Sequence, residues 1–551
     1  MNNLKNIKIY LKKNKINACL ISKNNQYLNE ITSPSENLLL KITGFTGSLG
    51  YALIYEQNQN LYVDGRYHQQ AKIQSKKFII KDISELKKDL RLFLNKKKKL
   101  LVDPQTFSYN FFEKYKCKNL VFFNSLKIKK RNENISNLTK NYCGEETSKK
   151  IKKVISKINF KKDEAFLITS PENIGWLGNI RVLKKKYNKN LNCFAILEKK
   201  RFYIFTDFKI NSKIKHITFK SKKDFEFHLF KYKKLYIDKD YTNLYFIDKI
   251  IKKKINISFF KDPIDQFKSI KNSTEISNFK IAHIFDGIAY IKFLYWLKSI
   301  KLKKINERDC QKKIEFFKNK NKFYLGPSFE TIAATEKNAS IIHYNAQDYK
   351  KTYLSKNDLL LFDSGSHYMF GTTDMTRTIS LGKQSFFRKK MYTLVLKSHI
   401  AVSTVKITKT TTGQFIDRVA RKKLLKLGYN YNHGTGHGVG YLSNVHENYP
   451  SLSKFSDNKI YINQVTSNEP GFYKKNDFGI RLENLIFLNH NRIFEDLTLV
   501  PFETSMIVKS MLTKKEKEWI NNYHDNVYEK IHKFLKNNEK KFLKNYCLKI
   551  D

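Results

Sequence analysis

The chain has little proline, tryptophan or cysteine, with 8, 3 and 6 residues respectively among 551. The cysteines are scattered and none belongs to a C-x-x-C pair, which excludes a disulfide framework and a thiolate zinc site and indicates reduced thiols. No apolar run approaches the roughly 18–20 residues that a membrane-spanning helix requires. The basic N-terminal stretch lacks the apolar core and cleavage site of a secretory signal. We therefore expect a soluble, globular, cytoplasmic protein with no membrane partner.

Acidic residues are also scarce relative to basic ones. The chain has 105 lysines and arginines against 50 aspartates and glutamates, a net charge of +55. Such a field attracts polyanions. The lysines, however, are spread along the whole chain, whereas a nucleic-acid site would cluster arginines and aromatic residues on one element. We interpret the charge as a solvated surface and expect no specific nucleic-acid partner. A nucleic-acid-binding protein is the alternative that charge alone suggests.

The length predicts three or four domains. Residues 1–145 and 146–262 alternate short apolar segments, such as ACLIS and FYIFTD, with helix-like segments, and they predict two α/β domains. After residue 263 the apolar residues recur at helical spacing, with Asn272 or Ser273 as the N-cap ahead of Glu275. A third domain is expected over residues 263–500, followed by a C-terminal extension over 501–551 that packs against it.

Five residues in the last third of the chain form a candidate metal-binding set: Asp363, Asp374, His437, Glu469 and Glu483. Carboxylates can bridge two divalent cations, and two cations close together can hold one hydroxide between them. The oxygen-rich set favours a hard cation, Mn²⁺ first, with Zn²⁺ and Co²⁺ as alternatives.

The local sequence predicts how these residues meet. The apolar run before Asp363 and the glycines that follow it predict two adjacent strands with a turn, which would bring Asp363 and Asp374 together. The histidine word HGTGHGVG has four glycines, each costing a helix about 1 kcal/mol, so a loop or strand is expected there. Pro470 and Gly471 predict a turn in a hairpin between the two glutamates.

Six words in this order resemble the aminopeptidase P (Xaa-Pro aminopeptidase) family of pita-bread metallopeptidases: FDSG, TTDMTRT, HGTGHGVG, VHE, NEPGFY and GIRLEN. The resemblance implies two creatinase-N-like α/β domains followed by a duplicated α+β pita-bread catalytic domain. It implies a metal-dependent aminopeptidase that removes the N-terminal residue from peptides with proline in second position, through a hydroxide bridging two divalent metals. It also implies a homodimer.

The resemblance assigns roles to individual residues. All five residues of the candidate set are implied to be metal ligands, and Glu469 is also implied to shuttle a proton. His343, His433 and His446 match active-site histidines that do not bind metal and that contact substrate or take part in catalysis. Arg481 lies two residues before Glu483, on the same face of a strand. It is expected to contact a carboxylate of the site and the substrate, with a purely structural salt bridge as the alternative.

Two alternatives stay open within this fold. A prolidase would cut Xaa-Pro dipeptides only, although the two N-terminal domains and the C-terminal extension favour aminopeptidase P. A non-catalytic pita-bread protein would bind partners, but such proteins typically lose ligands and all five are present here. The sequence departs from the family after Arg181, where VLKKKYNKN replaces a different stretch. Contacts that relatives make through that loop are therefore not carried over.

Overall fold

The computed structural model describes residues 3–95, 97–124, 134–208 and 214–551, with only the backbone described at Lys303. It forms two compact units. The first unit contains residues 1–138, 145–183 and 190–264, and the second contains residues 139–144, 184–189 and 265–551. No helix among the described residues is long and apolar enough to cross a membrane. The domain boundaries expected at residues 145, 262 and 500 stay predictions.

The first unit contains two six-stranded sheets. The strands up to residue 259 are β1 (Ala18–Ser22), β2 (Tyr51–Ile54), β3 (Gln59–Val63), β4 (Ile79–Asp82), β5 (Leu100–Val102), β6 (Leu120–Phe122), β7 (Ser136–Asn137), β8 (Glu164–Ile168), β9 (Ile180–Arg181), β10 (Phe194–Leu197), β11 (Phe202–Thr206), β12 (Ile217–Ser221), β13 (Lys234–Ile237) and β14 (Asn256–Phe259). The helices up to residue 269 are α1 (Leu4–Lys13), α2 (Leu38–Thr43), α3 (His68–Gln74), α4 (Leu86–Leu90), α5 (Tyr109–Tyr115), α6 (Lys140–Cys143), α7 (Thr147–Ile158), α8 (Pro171–Leu177), α9 (Phe225–Leu229), α10 (Leu244–Lys252) and α11 (Ile264–Ser269).

The two sheets have the same topology. Their strand orders are β4-β3-β2-β1-β5-β6 and β12-β11-β10-β8-β13-β14. Strand β1 pairs antiparallel with β2 and parallel with β5. In the same way, β8 pairs antiparallel with β10 and parallel with β13. All five residues of β1 and all four of β10 are buried, as expected of strands covered on both faces. This repetition matches the two α/β domains predicted from the alternating sequence pattern.

The second unit combines long helices with small antiparallel sheets. Its remaining helices are α12 (Ser273–Ser299), α13 (Glu307–Lys318), α14 (Phe386–Ser403), α15 (Gly413–Leu425), α16 (Lys514–Ile531) and α17 (Asn537–Tyr546). Its strands are β15 (Tyr324–Pro327), β16 (Ile332–Thr335), β17 (Leu359–Asp363), β18 (Ser366–Tyr368), β19 (Gly371–Thr373), β20 (Thr376–Ser380), β21 (Gly436–Gly438), β22 (Glu447–Leu452), β23 (Val465–Asn468), β24 (Gly471–Lys474), β25 (Phe478–Arg481), β26 (Asn484–Leu488) and β27 (Phe494–Asp496).

Helix α12 begins where the sequence predicted. The Asn272 side chain accepts a hydrogen bond from the Glu275 amide, and the Glu275 carboxylate accepts one from the Asn272 amide. This capping box satisfies two of the amides that a helix start leaves without partners. The helix then packs into one hydrophobic cluster with α14, α16, α17, β17 and β20. The cluster fixes the strands that carry the candidate metal ligands.

Residues 184–189 of the loop that departs from the family belong to the second unit. The Tyr187 carbonyl accepts a hydrogen bond from His367 Nε2 at 2.6 Å, and Lys189 Nζ donates to the Leu325 carbonyl at 2.7 Å. The loop also lines a cavity of about 510 Å³, together with Phe329 and residues of α13. The substituted stretch therefore has its own ordered contacts.

Candidate metal centre

The four candidate carboxylates flank two hairpins. Asp363 ends β17 and Asp374 lies just before β20, and these two strands pair antiparallel around the β18–β19 hairpin. Glu469 follows β23 and Glu483 precedes β26, and these strands pair around the β24–β25 hairpin. Residues 11 and 14 apart in sequence thus return to one place. The predicted hairpin between the glutamates is confirmed, and the two strands predicted between the aspartates prove to be separated by a second hairpin.

His437 lies in the middle of the short strand β21, which agrees with the predicted loop or strand. Its glycine neighbours are required by close backbone contacts. A Cβ on Gly436 would lie 1.9 Å from the Ser467 carbonyl oxygen, and one on Gly438 would lie 2.1 Å from that of Tyr449. Only glycine allows the backbones to approach this closely. The imidazole is thereby placed next to the strand that ends at Glu469.

The five side chains converge on one point. One ligand atom from each of Asp374, His437 and Glu483 lies within 4.8 Å of the other two. His437 Nε2 lies 3.6 Å from Asp374 Oδ2 and 3.5 Å from Glu469 Oε1. Asp363 lies beside the same group, since it is paired with Thr376, whose hydroxyl donates to Glu483. The charge of Asp363 also raises the pKa of Asp374, after the larger effects of burial and of the Glu483 charge. The structure therefore brings together all five residues that the sequence predicted.

The orientation of the imidazole is set by the backbone. His437 Nδ1 lies 2.9 Å from the carbonyl oxygen of Gly438, to which it donates a hydrogen bond. That bond places the proton on Nδ1 and directs Nε2 at the carboxylates of Asp374 and Glu469. A neutral imidazole in this tautomer is the form that binds a metal ion.

Burial raises the pKa of every carboxyl in the cluster, and neighbouring carboxylates raise it further for Asp374, Glu469 and Glu483. The pKa values of Asp374 and Glu483 lie well above the usual range because both groups are buried and face other carboxylates. Burial also raises the pKa of Asp363, against the opposing effect of Arg481. Burial raises the pKa of Glu469 to about 7. A cluster of this kind is unfavourable without cations to balance it.

Arg481 is the one guanidinium among the described residues that forms an ion pair with the cluster. Its Nη2 donates to Asp363 Oδ2 at 2.6 Å, and its Nε donates to Thr376 Oγ1 at 3.1 Å. Thr376 Oγ1 in turn donates to Glu483 Oε2 at 2.8 Å. The predicted carboxylate contact is therefore made with Asp363, because Arg481 ends β25 and faces β17 rather than continuing in a strand with Glu483.

Tyr473 was missed by sequence reasoning. Its hydroxyl accepts a hydrogen bond from Arg481 Nη1 at 2.8 Å and lies 2.9 Å from His433 Nε2. It thus connects one accessory histidine to the arginine that holds Asp363. The signal was present in the word NEPGFY, whose tyrosine follows Glu469 by four residues.

The three accessory histidines lie in different segments. His433 Nδ1 is 3.9 Å from Glu469 Oε2, and the His446 ring packs edge-on against the His437 ring with centroids 4.4 Å apart. His343 lies in a turn whose preceding carbonyl, that of Ile342, accepts a hydrogen bond from Arg481 Nη1 at 3.4 Å. All three are half-buried.

The residues present fit divalent cations. Asp363 Oδ1 is buried and has no hydrogen-bond partner among the described residues, so a lone pair is available beside the other carboxylates. Four carboxylates share a single guanidinium, and divalent cations would offset the negative charge that remains. Carboxylate oxygens with one imidazole nitrogen form a donor set that such cations accept.

Comparisons with family descriptions agree with this geometry. Residues 277–490 match metallopeptidase family M24, and residues 493–550 match the C-terminal region of peptidase M24. Residues 4–126 and 127–275 each match the creatinase/prolidase N-terminal domain. The fold and the carboxylate cluster together define the class, which is that of the M24 metallopeptidases with creatinase-type N-terminal domains.

Relatives of similar length narrow the class to one family. The probable Xaa-Pro aminopeptidase P of Phaeosphaeria nodorum is 30% identical over 90% of this chain and 85% of its own length. Xaa-Pro aminopeptidase 1 of Dictyostelium discoideum is 30% identical over 95% of this chain and 92% of its own length. This chain belongs to the Xaa-Pro aminopeptidase family, also called aminopeptidase P.

A solved structure supports the same assignment. The X-prolyl aminopeptidase of Caenorhabditis elegans, described as a cytosolic enzyme with a di-nuclear active site, is similar with a TM-score of 0.90. It is 25% identical, and the similarity covers 99% of each chain. The predicted family and fold class are confirmed.

Proposed function

We propose that the protein is a metal-dependent aminopeptidase that removes the N-terminal residue from peptides with proline in second position. One observation carries the proposal. Four carboxylates and one imidazole meet at a buried point of a chain that belongs to the aminopeptidase P family over most of its length. Divalent cations would balance the negative charge of this cluster, and hydrolysis is a chemistry that such cations support.

All five residues of the candidate set would hold two divalent cations. The donor set favours Mn²⁺, with Zn²⁺ and Co²⁺ as alternatives. When bound, the cations lower the pKa of a water molecule and polarise the carbonyl of the peptide bond. Arg481 fixes one oxygen of Asp363 by its 2.6 Å hydrogen bond and so presents the other oxygen to the cations.

Glu469 is the carboxylate best placed to move a proton. Its side chain is 18% exposed, whereas those of Asp363 and Asp374 are 10% and 6% exposed. It can therefore take a proton from water and give it to the proline nitrogen when the peptide bond breaks. Ser467 Oγ donates to Glu469 Oε1 at 3.2 Å and leaves Oε2, on the His433 side, for this transfer.

The half-buried histidines His343, His433 and His446 are proposed to bind the substrate. A ring N–H of His343 or His446 can donate to the substrate carbonyl and stabilise the charge that develops on its oxygen. Proline lacks an N–H group, so a site shaped for its ring needs no acceptor at that position. His433 donates from Nδ1 to the Gly434 carbonyl and is held by Arg481 through Tyr473, so its ring is proposed to contact the substrate without donating to it.

We also propose that the enzyme acts in the cytoplasm as a homodimer. Six free cysteines and the cytosolic description of the C. elegans relative support the first part. The family resemblance supports the second. Light scattering during size-exclusion chromatography measures the molar mass, which for a dimer would be twice the 65.3 kDa of one chain.

The first experiment is hydrolysis of Arg-Pro-Pro by purified protein. Chelated protein would be compared with protein loaded with Mn²⁺ or Zn²⁺, and Arg-Ala-Pro would serve as the substrate control. We expect metal-dependent release of free arginine from Arg-Pro-Pro and not from Arg-Ala-Pro. In Glu469→Gln we expect kcat to fall by about 10²–10⁴-fold, the usual contribution of a positioned acid–base group. Glu518→Gln, the same change at an exposed site, is the matched control.

The alternatives give different results in the same assay. A prolidase would release nothing from Arg-Pro-Pro but would cleave the dipeptide Ala-Pro. A non-catalytic binding protein would cleave neither peptide when it is folded and loaded with metal. Either result would overturn the proposed aminopeptidase activity.

A further inference from the structure

The loop between β16 and β17 carries His343, and a buried carboxylate outside the metal centre contacts residues on both sides of this histidine. Glu307 is the first residue of α13 and only 1% exposed. Its Oε1 accepts hydrogen bonds from the Thr335 amide at 2.7 Å and from Asn338 Nδ2 at 2.9 Å. Its Oε2 accepts the Tyr344 hydroxyl at 2.7 Å. One side chain thus binds the end of β16 at Thr335 and, nine residues later within the loop, Tyr344.

Tyr344 transmits this constraint to His343, its neighbour in the chain. The Tyr344 side chain is 1% exposed, and its hydroxyl also accepts a hydrogen bond from Asn338 Nδ2 at 3.0 Å. A fully buried ring fixed at its hydroxyl leaves its backbone little freedom. On the other side of His343, the Ile342 carbonyl is held by Arg481. His343 is therefore the half-buried residue between two anchored neighbours.

The loop also packs against the strand that ends at Arg481. A Cβ on Gly479, in β25, would lie 1.9 Å from the Ala339 carbonyl oxygen. Backbone contact this close leaves no room for the loop to slide along the strand. Glu307 and Arg481 therefore each hold one of the two chain neighbours of His343, Glu307 at the Tyr344 hydroxyl and Arg481 at the Ile342 carbonyl.

Holding a loop with a buried carboxylate lowers the stability of the fold compared with holding it by a neutral side chain. No ion pair to Glu307 is formed by the described residues, and four neutral hydrogen bonds satisfy it instead. Burying a charged group without a cation costs free energy that a neutral side chain would avoid. A role for Glu307 in fixing the direction of the Tyr344 hydroxyl, rather than in stabilising the fold, would explain its presence.

We infer that Glu307 is a positioning residue for the peptidase reaction, acting through Tyr344 to set the imidazole of His343 against the substrate. The inference rests on the proposed function. It adds a residue from the start of α13, 56 positions before the first candidate metal ligand, to those on which the reaction depends.

The test uses three variants of the full chain loaded with Mn²⁺. Glu307→Gln removes the charge, and Tyr344→Phe removes only the hydroxyl that Glu307 binds. Tyr349→Phe is the matched control, because this ring stacks on Tyr344 at 4.9 Å but its hydroxyl has no hydrogen-bond partner among the described residues. A displacement of about 1 Å can lower a rate about a hundredfold. We expect kcat for Arg-Pro-Pro to fall about 10- to 100-fold in the first two variants, with KM and the control changed less than about twofold.

A double mutant separates positioning from general damage to the fold. In a His343→Ala background, Glu307→Gln should lower kcat/KM no further, because the group that it positions is absent. The same loss in both backgrounds would overturn the inference. Tyr344→Phe keeps the test valid if Glu307→Gln does not fold, since it removes one hydroxyl and leaves the carboxylate in place.

A second measurement does not depend on peptidase activity. The rate at which diethyl pyrocarbonate modifies His343 would be followed by peptide mapping in the metal-loaded protein. We expect faster modification in Glu307→Gln and Tyr344→Phe than in wild type, and no change in Tyr349→Phe. An unchanged rate in both variants would overturn the inference. If the wild type cleaves no Xaa-Pro peptide but the rates change as expected, the proposed function fails and the positioning role stands.

Discussion

Two buried regions of opposite charge lie on either side of β20 and of the residues where β26 begins. The acidic region consists of Asp363, Asp374, Glu469 and Glu483. The arginine region consists of Arg377, Asn484, Phe502, Tyr523 and His524. Thr376 and Glu483 face the first region, and their neighbours Arg377 and Asn484 face the second, because side chains alternate along extended backbone. The two segments meet at the bridge between Thr376 and Glu483, and the next residue of each segment already faces the other buried region.

The two regions satisfy charge in different ways. Arg377, 1% exposed, donates to the carbonyls of Thr376, Glu483, Val500 and Pro501 and to Asn484 Oδ1, and it lies 4.2 Å from the Phe502 ring centroid. Every donor direction meets a neutral acceptor. In the acidic region the carboxylates face one another, their pKa values are raised, and Asp363 Oδ1 has no partner among the described residues. The arginine region is complete as it stands, whereas the acidic region requires cations.

The largest expected effect comes from removing one carboxylate. Glu483→Gln should lower kcat/KM by about a thousandfold, because the cations contribute several kcal/mol and each tenfold in rate is about 1.4 kcal/mol. The same variant should raise the unfolding midpoint of the chelated protein. Burial and neighbouring carboxylates raise the pKa of Glu483, so its charged form destabilises the metal-free fold at neutral pH. Thermal unfolding in chelator, with Glu518→Gln as control, would contradict this if the midpoint falls.

The next effect belongs to the arginine region and should not depend on metal. Arg377→Met leaves the buried carbonyls of Glu483 and Pro501 without donors, and each costs about 1–3 kcal/mol. We expect the free energy of unfolding to fall by about 2–6 kcal/mol, equally in chelated and Mn²⁺-loaded protein. Urea unfolding under both conditions measures it. Recovery on adding Mn²⁺ would show that the two regions are not independent.

Arg481→Met should behave differently from Arg377→Met. Without its guanidinium, Asp363 becomes a buried carboxylate without a cation, which costs about 3 kcal/mol or more in chelated protein. Mn²⁺ should restore most of that loss, since bound cations supply the missing positive charge. The measurement is the difference between the two unfolding free energies. A loss of equal size with and without Mn²⁺ would place Arg481 with the purely structural arginine.

The smallest effect is a pH dependence of the arginine region. His524 Nε2 accepts the Phe502 amide at 3.0 Å, and burial, followed by the charge of Arg377, lowers the pKa of His524 to about 3. The unfolded chain binds this proton near pH 6.5, so stability is lost as pH falls below that value, by about 1.4 kcal/mol per pH unit. His524→Gln keeps the acceptor and should remove this part of the slope. His490→Gln, at an exposed histidine, should leave the slope unchanged.

Sequence reasoning reached the acidic region but not the arginine region. The acidic region is encoded in short words whose chemistry is visible in the residues themselves, such as a histidine between glycines or a glutamate before Pro470. Arg377 stands in one of those words, TTDMTRT, yet nothing in the word shows that its acceptors come from Glu483, Val500 and Pro501. The partner of Arg481 was missed for the same reason.

The sequence by itself determined the kinds of ligand, their order, the alternation of helices and strands in the first 262 residues, and the cap of α12. Each of these depends on a residue and its near neighbours, which the chain states directly. Tertiary structure alone decided that Asp363 takes Arg481 as partner, that Tyr473 joins Arg481 to His433, and that Glu307 binds Thr335 and Tyr344 on either side of His343. These contacts span up to 118 positions, and their geometry exists only after the strands have paired and the core around α12 has closed.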